Sequence, residues 1–168
     1  MKNLIFINGT MGVGKTATSR ELQKLLPRCA FLDGDWCWDM SPFTVTDETK
    51  AMVEDNICHV LNNFLKCTGF DNIIFCWVMH QEAIMDRLLS RLDTCGSTIY
   101  KFSLVCSEEA LRQRLHIDVV NGVRESDVIA RSLSRLRNYR KMDTSKVDTT
   151  EITAEEAAEA IYESIYPK

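Results

Sequence analysis

The chain has 168 residues, 45% of them hydrophobic and 26% charged, and 20 basic against 24 acidic side chains leave a net charge of −4. A chain of this length buries about 70% of its unfolded surface as one domain, so it needs no disulfide or metal staple. The acidic balance excludes a dedicated nucleic-acid binder, and the longest apolar run, Ile73 to Met79, is too short to cross a bilayer.

Asn3 to Asn8 is a short apolar run closed by Gly9, the pattern of a strand buried on both faces. It runs straight into a glycine loop, unlike the longer apolar region of a signal peptide. Lys15 to Leu26 then carries helical spacing at Ala17, Leu22, Leu25 and Leu26 before Pro27 stops it. Cys29 to Leu32 reads as a second strand ending in Asp33-Gly34-Asp35, and Trp36 to Val45, broken by Pro42, as an irregular connection. Thr46 or Asp47 caps a long helix to about Lys66, with Met52, Ile57, Val60, Leu61, Phe64 and Leu65 facing inward. Asp71 to Met79 is the most hydrophobic strand, Ala83 to Leu92 a helix, and Thr98 to Cys106 a fourth strand. Ser107 caps the next helix, Asn121-Gly122 breaks it, and Ser126 starts a basic helix to about Met142. Lys146 to Thr149 reads as a last short strand, and Thr153 with Glu156 forms a capping box on a closing helix. Strands alternating with helices, without repeats or long linkers, predict one doubly wound α/β domain over residues 1–168.

Seven cysteines are spread along the chain with no CxxC pair, so a structural zinc site is not expected. Several lie in apolar runs, where a free thiol acts as a small hydrophobe. This usage predicts a reducing compartment, the cytoplasm.

Gly9-Thr10-Met11-Gly12-Val13-Gly14-Lys15-Thr16 fits G-x-x-x-x-G-K-[ST] at every fixed position, with a strand before it and a helix after it. The glycines let the backbone N–H groups converge on one anion, and the helix dipole adds to the site. Lys15 reaches the β- and γ-phosphates, the Thr16 hydroxyl ligates Mg²⁺, and Thr18 one turn on belongs to the same nucleotide site. Asp33-Gly34-Asp35 falls at the carboxyl end of a strand, where open α/β sheets place their ligand crevice. One carboxylate there can hold Mg²⁺ through water, while the other accepts a proton from an attacking hydroxyl. The third strand ends in Trp77-Val78-Met79-His80 without a carboxylate, which leaves Asp33 as the acidic partner for the metal.

These motifs, with Ser107 to Leu115 after a hydrophobic strand and Val147 to Thr150 before a final helix, resemble the small-molecule P-loop kinases. That group includes the shikimate, gluconate, adenylyl-sulfate and nucleotide kinases and chloramphenicol phosphotransferase. The resemblance implies a three-layer fold around a five-stranded parallel sheet of order 2-3-1-4-5, and transfer of the ATP γ-phosphoryl group to a small acceptor. It makes Asp33 the metal-side carboxylate and Asp35 the acceptor-binding base. Arg114 would stack on the adenine, Asp148 and Thr149 would line the adenine pocket, and Arg124 in a short lid at about 117–125 would reach the transferring phosphate. The glycine motif typical of shikimate kinases is absent after the third strand, where Trp77, His80 and Glu82 stand.

Arg131 and Arg135, four residues apart, read as one solvated helix face. Trp36 and Trp77 flank the crevice, where they either stack on a flat acceptor or pack a connection onto the sheet. His80 either orients the acceptor or caps the following helix, while His59 and His116 read as surface residues. The expected activity is an ATP- and Mg²⁺-dependent kinase with Lys15, Asp35 and Arg124 at its centre. Its acceptor is a small molecule, a nucleoside or nucleotide among the candidates, and the chain is a monomer or homodimer without nucleic-acid or membrane partners. A nucleotide-hydrolysing or regulatory P-loop protein without an acceptor is the alternative, separated by whether an acceptor stimulates ADP formation.

Overall fold

The computed structural model describes residues 1–167. Five strands, β1 (Lys2–Asn8), β2 (Cys29–Asp33), β3 (Asn72–Trp77), β4 (Ser97–Val105) and β5 (Ser145–Asp148), form one parallel sheet of order β2-β3-β1-β4-β5. This is the expected order. Between them run α1 (Lys15–Leu25), α2 (Asp47–Lys66), α3 (Glu82–Leu89), α4 (Glu108–Val120), α5 (Asp127–Lys141) and the closing α6 (Ala154–Ile165).

Strand β1 lies in the middle because its side chains are apolar on both faces. Leu4 and Phe6 point into one core with Phe75, Ile57 and Leu61, while Ile5 and Ile7 point into the other with Leu22, Leu115 and Ile161. Helices α1, α4 and α6 cover one face and α2 and α3 the other, and α5 contributes to both. Each fully buried Leu, Ile or Phe side chain contributes about 1.5–3 kcal/mol relative to exposure. All seven cysteines are free thiols, three of them buried.

The caps follow the sequence. Thr46 and Thr49 close a reciprocal box on α2, Ser107 accepts from the Ala110 N–H at 3.1 Å, and Thr153 and Glu156 form the predicted box on α6. Several expectations shift. On α2 the buried stripe is Val53, Ile57, Leu61 and Leu65 at four-residue spacing, with Cys58 beside it. Met52 falls on the flank of that stripe and is 44% exposed. Gly34–Trp38 is a short 3₁₀ helix rather than irregular chain, because the Asp33 carboxylate accepts from the Asp35 N–H at 3.0 Å and starts the turn. Helix α3 ends at Leu89, short of Leu92, and α4 continues to Val120, so Ile117 to Val120 are helix and the connection proper is 121–126. Among the described residues, no helix is long and apolar enough to cross a membrane.

Because all five strands run the same way, the ends of β1, β2 and β3 open on one edge, and the chain there leads into the glycine loop, the Asp33 turn and Trp77. Side chain Asn8 braces this edge. Its Nδ2 donates to the Met79 carbonyl at 2.9 Å, and its Oδ1 accepts from the N–H groups of Met79 and Gly9, each at 2.9 Å. The strand pairing between β1 and β3 is thereby extended to the start of the loop.

Candidate active site

Gly14 is the N-cap of α1 with φ 103°, a left-handed conformation that lets the chain turn into the helix without strain. Thr10, fully buried, donates to the Ser132 carbonyl at 3.1 Å and ties the loop to α5. The Lys15 ammonium curls back onto its own loop and donates to the Thr10 carbonyl at 3.0 Å. Burial pushes the Lys15 pKa down, and the nearby carboxylates of Asp35 and Asp33 act in the opposite direction.

Asp33 is buried with both carboxylate oxygens engaged. Its Oδ2 accepts from the Thr16 hydroxyl at 2.7 Å, and its Oδ1 takes the Asp35 N–H. The two expected metal-side residues therefore stand together as hard oxygen donors, a set that suits Mg²⁺ completed by phosphate and water. Asp35 projects toward the cleft mouth. Burial raises its pKa and the Asp33 charge raises it further, while Lys15, Trp77 and Arg124 pull the other way. Gly34 between them is required by close packing, since a Cβ there would lie 2.5 Å from the Trp77 ring.

Three cavities meet this turn and loop. One of about 260 Å³ is bounded by the glycine loop, Lys15, Thr16, Asp35, Asp118 and Arg124. Arg124 lines this cavity beside the glycine loop, and its Nε donates to Asp118 Oδ2 at 2.9 Å. A second cavity, about 220 Å³, lies between the loop, Thr18, Arg114 and Thr149 at the start of α6. There Arg114 donates to Thr149 Oγ1 at 3.2 Å, and Thr149 Oγ1 donates to the Val13 carbonyl at 3.2 Å. Asp148 does not line this cavity; its carboxylate turns outward and accepts from the Thr150 N–H at 2.9 Å.

The third cavity is much larger, about 900 Å³, and shares Met11 and Asp35 with the phosphate cavity. Trp36, Trp38, Phe43 and Trp77 line it together with His80, Arg131 and Arg135. Trp36 packs edge-on against Phe31 at 5.3 Å, with the Arg20 guanidinium 5.2 Å from its ring, and also lines the cavity. His80 does not cap α3, whose N-cap is Gln81. The imidazole faces the cavity, its Nδ1 is buried without a hydrogen-bond partner, and burial together with Arg135 lowers its pKa. Arg131 keeps the solvated character expected of it, exposed and paired with Asp127 at 3.2 Å, while Arg135 is half-buried, and both also line this cavity.

Sequence reasoning missed Asn8, Asp118, Phe43 and the role of Arg135. Asp118 could have been found from its position six residues before Arg124 across the Asn121-Gly122 break, since that turn folds the two toward each other.

A strand, a glycine loop and a helix on a parallel sheet of order 2-3-1-4-5 define a P-loop fold of the kind seen in small-molecule kinases. The chain belongs to the AAA domain family, whose sequence profile matches residues 5–127. Its fold is similar to that of the tunicamycin resistance protein of Deinococcus radiodurans, at 19% identity, TM-score 0.69, and 98% and 96% of the two chains covered. It is also similar to shikimate kinase from Acinetobacter baumannii in complex with shikimate (20% identity, TM-score 0.66, 98% and 93% covered). APS kinase of Mycobacterium tuberculosis in complex with AMPPNP and APS matches at 12% identity and TM-score 0.68, with 98% and 97% covered. At these identities the likeness is one of fold. No curated protein sequence matches the chain.

Proposed function

We propose that this chain is an ATP- and Mg²⁺-dependent kinase that transfers the γ-phosphoryl group to a small-molecule acceptor. The observation that carries the reading is the position of Asp35 where the phosphate cavity opens into the 900 Å³ cavity. A base placed there touches both an acceptor hydroxyl and the phosphate it attacks.

In this reading the loop amides from Gly9 to Thr16 and the Lys15 ammonium hold the phosphates, while Thr18, Arg114 and Thr149 enclose the base of the nucleotide. Thr16 and Asp33 hold Mg²⁺, which supplies neutralisation of phosphate charge when bound. The acceptor oxygen forms a bond to the γ-phosphorus as the bond to the β–γ bridging oxygen breaks, and that electron pair leaves on ADP. The hydroxyl proton passes to the Asp35 carboxylate. A carboxyl pKa raised by partial desolvation and by Asp33 makes Asp35 a stronger proton acceptor than an ordinary aspartate. Arg124 meets the equatorial oxygens, and its pairing with Asp118 holds the guanidinium over them.

The test is ADP formation by the full chain with ATP and Mg²⁺, with and without pooled hydroxylated metabolites. Acceptor-stimulated ADP formation with a matching phosphorylated product supports the kinase. ADP formation that no acceptor stimulates overturns it in favour of hydrolysis.

A further inference from the structure

Resting on that kinase reading, we propose that the acceptor is a planar-ringed molecule that carries an anionic group, carboxylate or phosphate, besides the hydroxyl that receives the phosphoryl group. Size speaks first. The acceptor cavity is about 900 Å³, against about 260 Å³ at the phosphate position, and falls at the large end of cavities that enclose drug-sized ligands. Its surface speaks second. Beside its charged side chains, the cavity presents the aromatic rings of Trp36, Trp38, Phe43 and Trp77 with Val78 and Ile84, a share of flat apolar surface that a purely polyhydroxylated acceptor would leave unused. Trp77 is held by its packing on Gly34, and Trp38 and Trp77 both pack partly against the core. Rigid π-faces of this kind hold a flat ring with little loss of side-chain entropy.

Charge supplies the anion. Four cationic side chains line the cavity. Arg87 is matched by Glu54 at 2.5 Å, Lys50 by Asp47 at 3.2 Å and Arg131 by Asp127 at 3.2 Å. Arg135 has no ion pair among the described residues, and it stands beside the His80 imidazole, whose Nδ1 is buried and unpartnered. Of the acids at the wall, Glu54 is taken by Arg87, Asp39 lies at the exposed rim, and Asp35 opens onto the phosphate cavity. A half-buried guanidinium with no carboxylate partner is best satisfied by an anion that arrives with the ligand, and such charge-assisted bonds are the stronger ones. Transfer itself is unchanged: the hydroxyl oxygen bonds to phosphorus, ADP leaves, and Asp35 takes the proton.

The experiment measures thermal stabilisation of the full chain already saturated with a non-hydrolysable ATP analogue and Mg²⁺. Its probes are 4-(hydroxymethyl)benzoate and nucleoside 5′-monophosphates (flat and anionic), 1,4-benzenedimethanol and nucleosides (flat and neutral), and gluconate and shikimate (anionic, not aromatic). The expected result is the greatest stabilisation by a flat anionic probe, with the carboxylate and phosphate arms telling the two anions apart. R135Q is expected to erase at least tenfold of the preference for that probe over its neutral counterpart. Stabilisation by the non-aromatic acids or neutral rings instead, or by no flat anion, overturns the proposal; so does an unchanged preference in R135Q. Failure of the ATP analogue itself to stabilise the protein overturns the kinase reading, a separate outcome.

Discussion

The Thr16 hydroxyl donates to Asp33 Oδ2 across 2.7 Å and joins the first turn of α1 to the end of β2. Both oxygens are hard donors, Asp33 buried and Thr16 at the exposed start of the helix. An Asn in place of Asp33 keeps the shape and an acceptor oxygen while removing the charge. D33N is therefore expected to raise the Mg²⁺ concentration for half-maximal ADP formation by tenfold or more. Its melting temperature should move by less than about 4 °C, the shift that 1 kcal/mol gives a domain of this size. Metal titration and thermal melts of the two proteins check both halves.

Lys15 gives a pH signature. Burial lowers its pKa, so the folded state binds that proton less tightly than the unfolded chain, whose lysine titrates near 10.5. The penalty is fully present below the folded pKa and fades as pH rises through it toward 10.5. K15M removes the charge and keeps the apolar stem. Without nucleotide it is expected to melt above the parent at pH 7, and the gap should narrow as pH is raised to 10. With the ATP analogue the order reverses, because only the parent grips the phosphates. Paired melts across pH 7–10 read the difference, and a gap that widened with pH would refute the burial argument.

Much of this site is readable from local chemistry. The glycine loop, the Thr16–Asp33 pair, Arg124 beside the loop and Arg114 with Thr149 all follow from residues whose positions are set by short-range geometry: a strand end, a turn, a helix start. The sheet order came from resemblance and holds, since β1 is apolar on both faces and can only be central. What was hidden depends on long-range closure. Arg135 looks solvated on an isolated helix, yet it is half-buried and shares a cavity with Phe43, roughly 90 residues earlier in the chain, and no local period encodes that. Asp148 erred the other way: its carboxylate prefers the Thr150 N–H two residues on, a local bond that outcompetes the pocket.

Asn8 is a polar side chain with no exposure, and its amide answers three backbone groups of Gly9 and Met79. Truncation leaves those groups buried without partners, each loss costing about 1–3 kcal/mol before water or relaxation softens it. N8A is expected to lose about 3 kcal/mol, about 6–12 °C in melting temperature at this chain length. Asn8→Asp keeps the acceptor for Met79 and Gly9 but loses the donor to the Met79 carbonyl, and should fall between the two. Denaturant unfolding of the three proteins orders them, and equal stability of N8A and parent would show that the brace carries no weight.

Asp35 separates chemistry from binding. Its pKa is raised first by burial and then by Asp33, so the ionised carboxylate is held at a cost above the folded pKa, and that cost disappears below the ordinary value of 3.8. D35N removes both the cost and the base. At neutral pH the variant is expected to melt above the parent, to keep its stabilisation by the ATP analogue, and to turn over about 10²–10⁴-fold more slowly. The stability gain should shrink as pH falls toward 4, where the parent carboxyl takes up its proton. The parent's rate should fall on the acid side at a pH above 3.8, and D35N should lack that limb. A D35N protein with parental turnover removes the base from the mechanism, whatever its stability does.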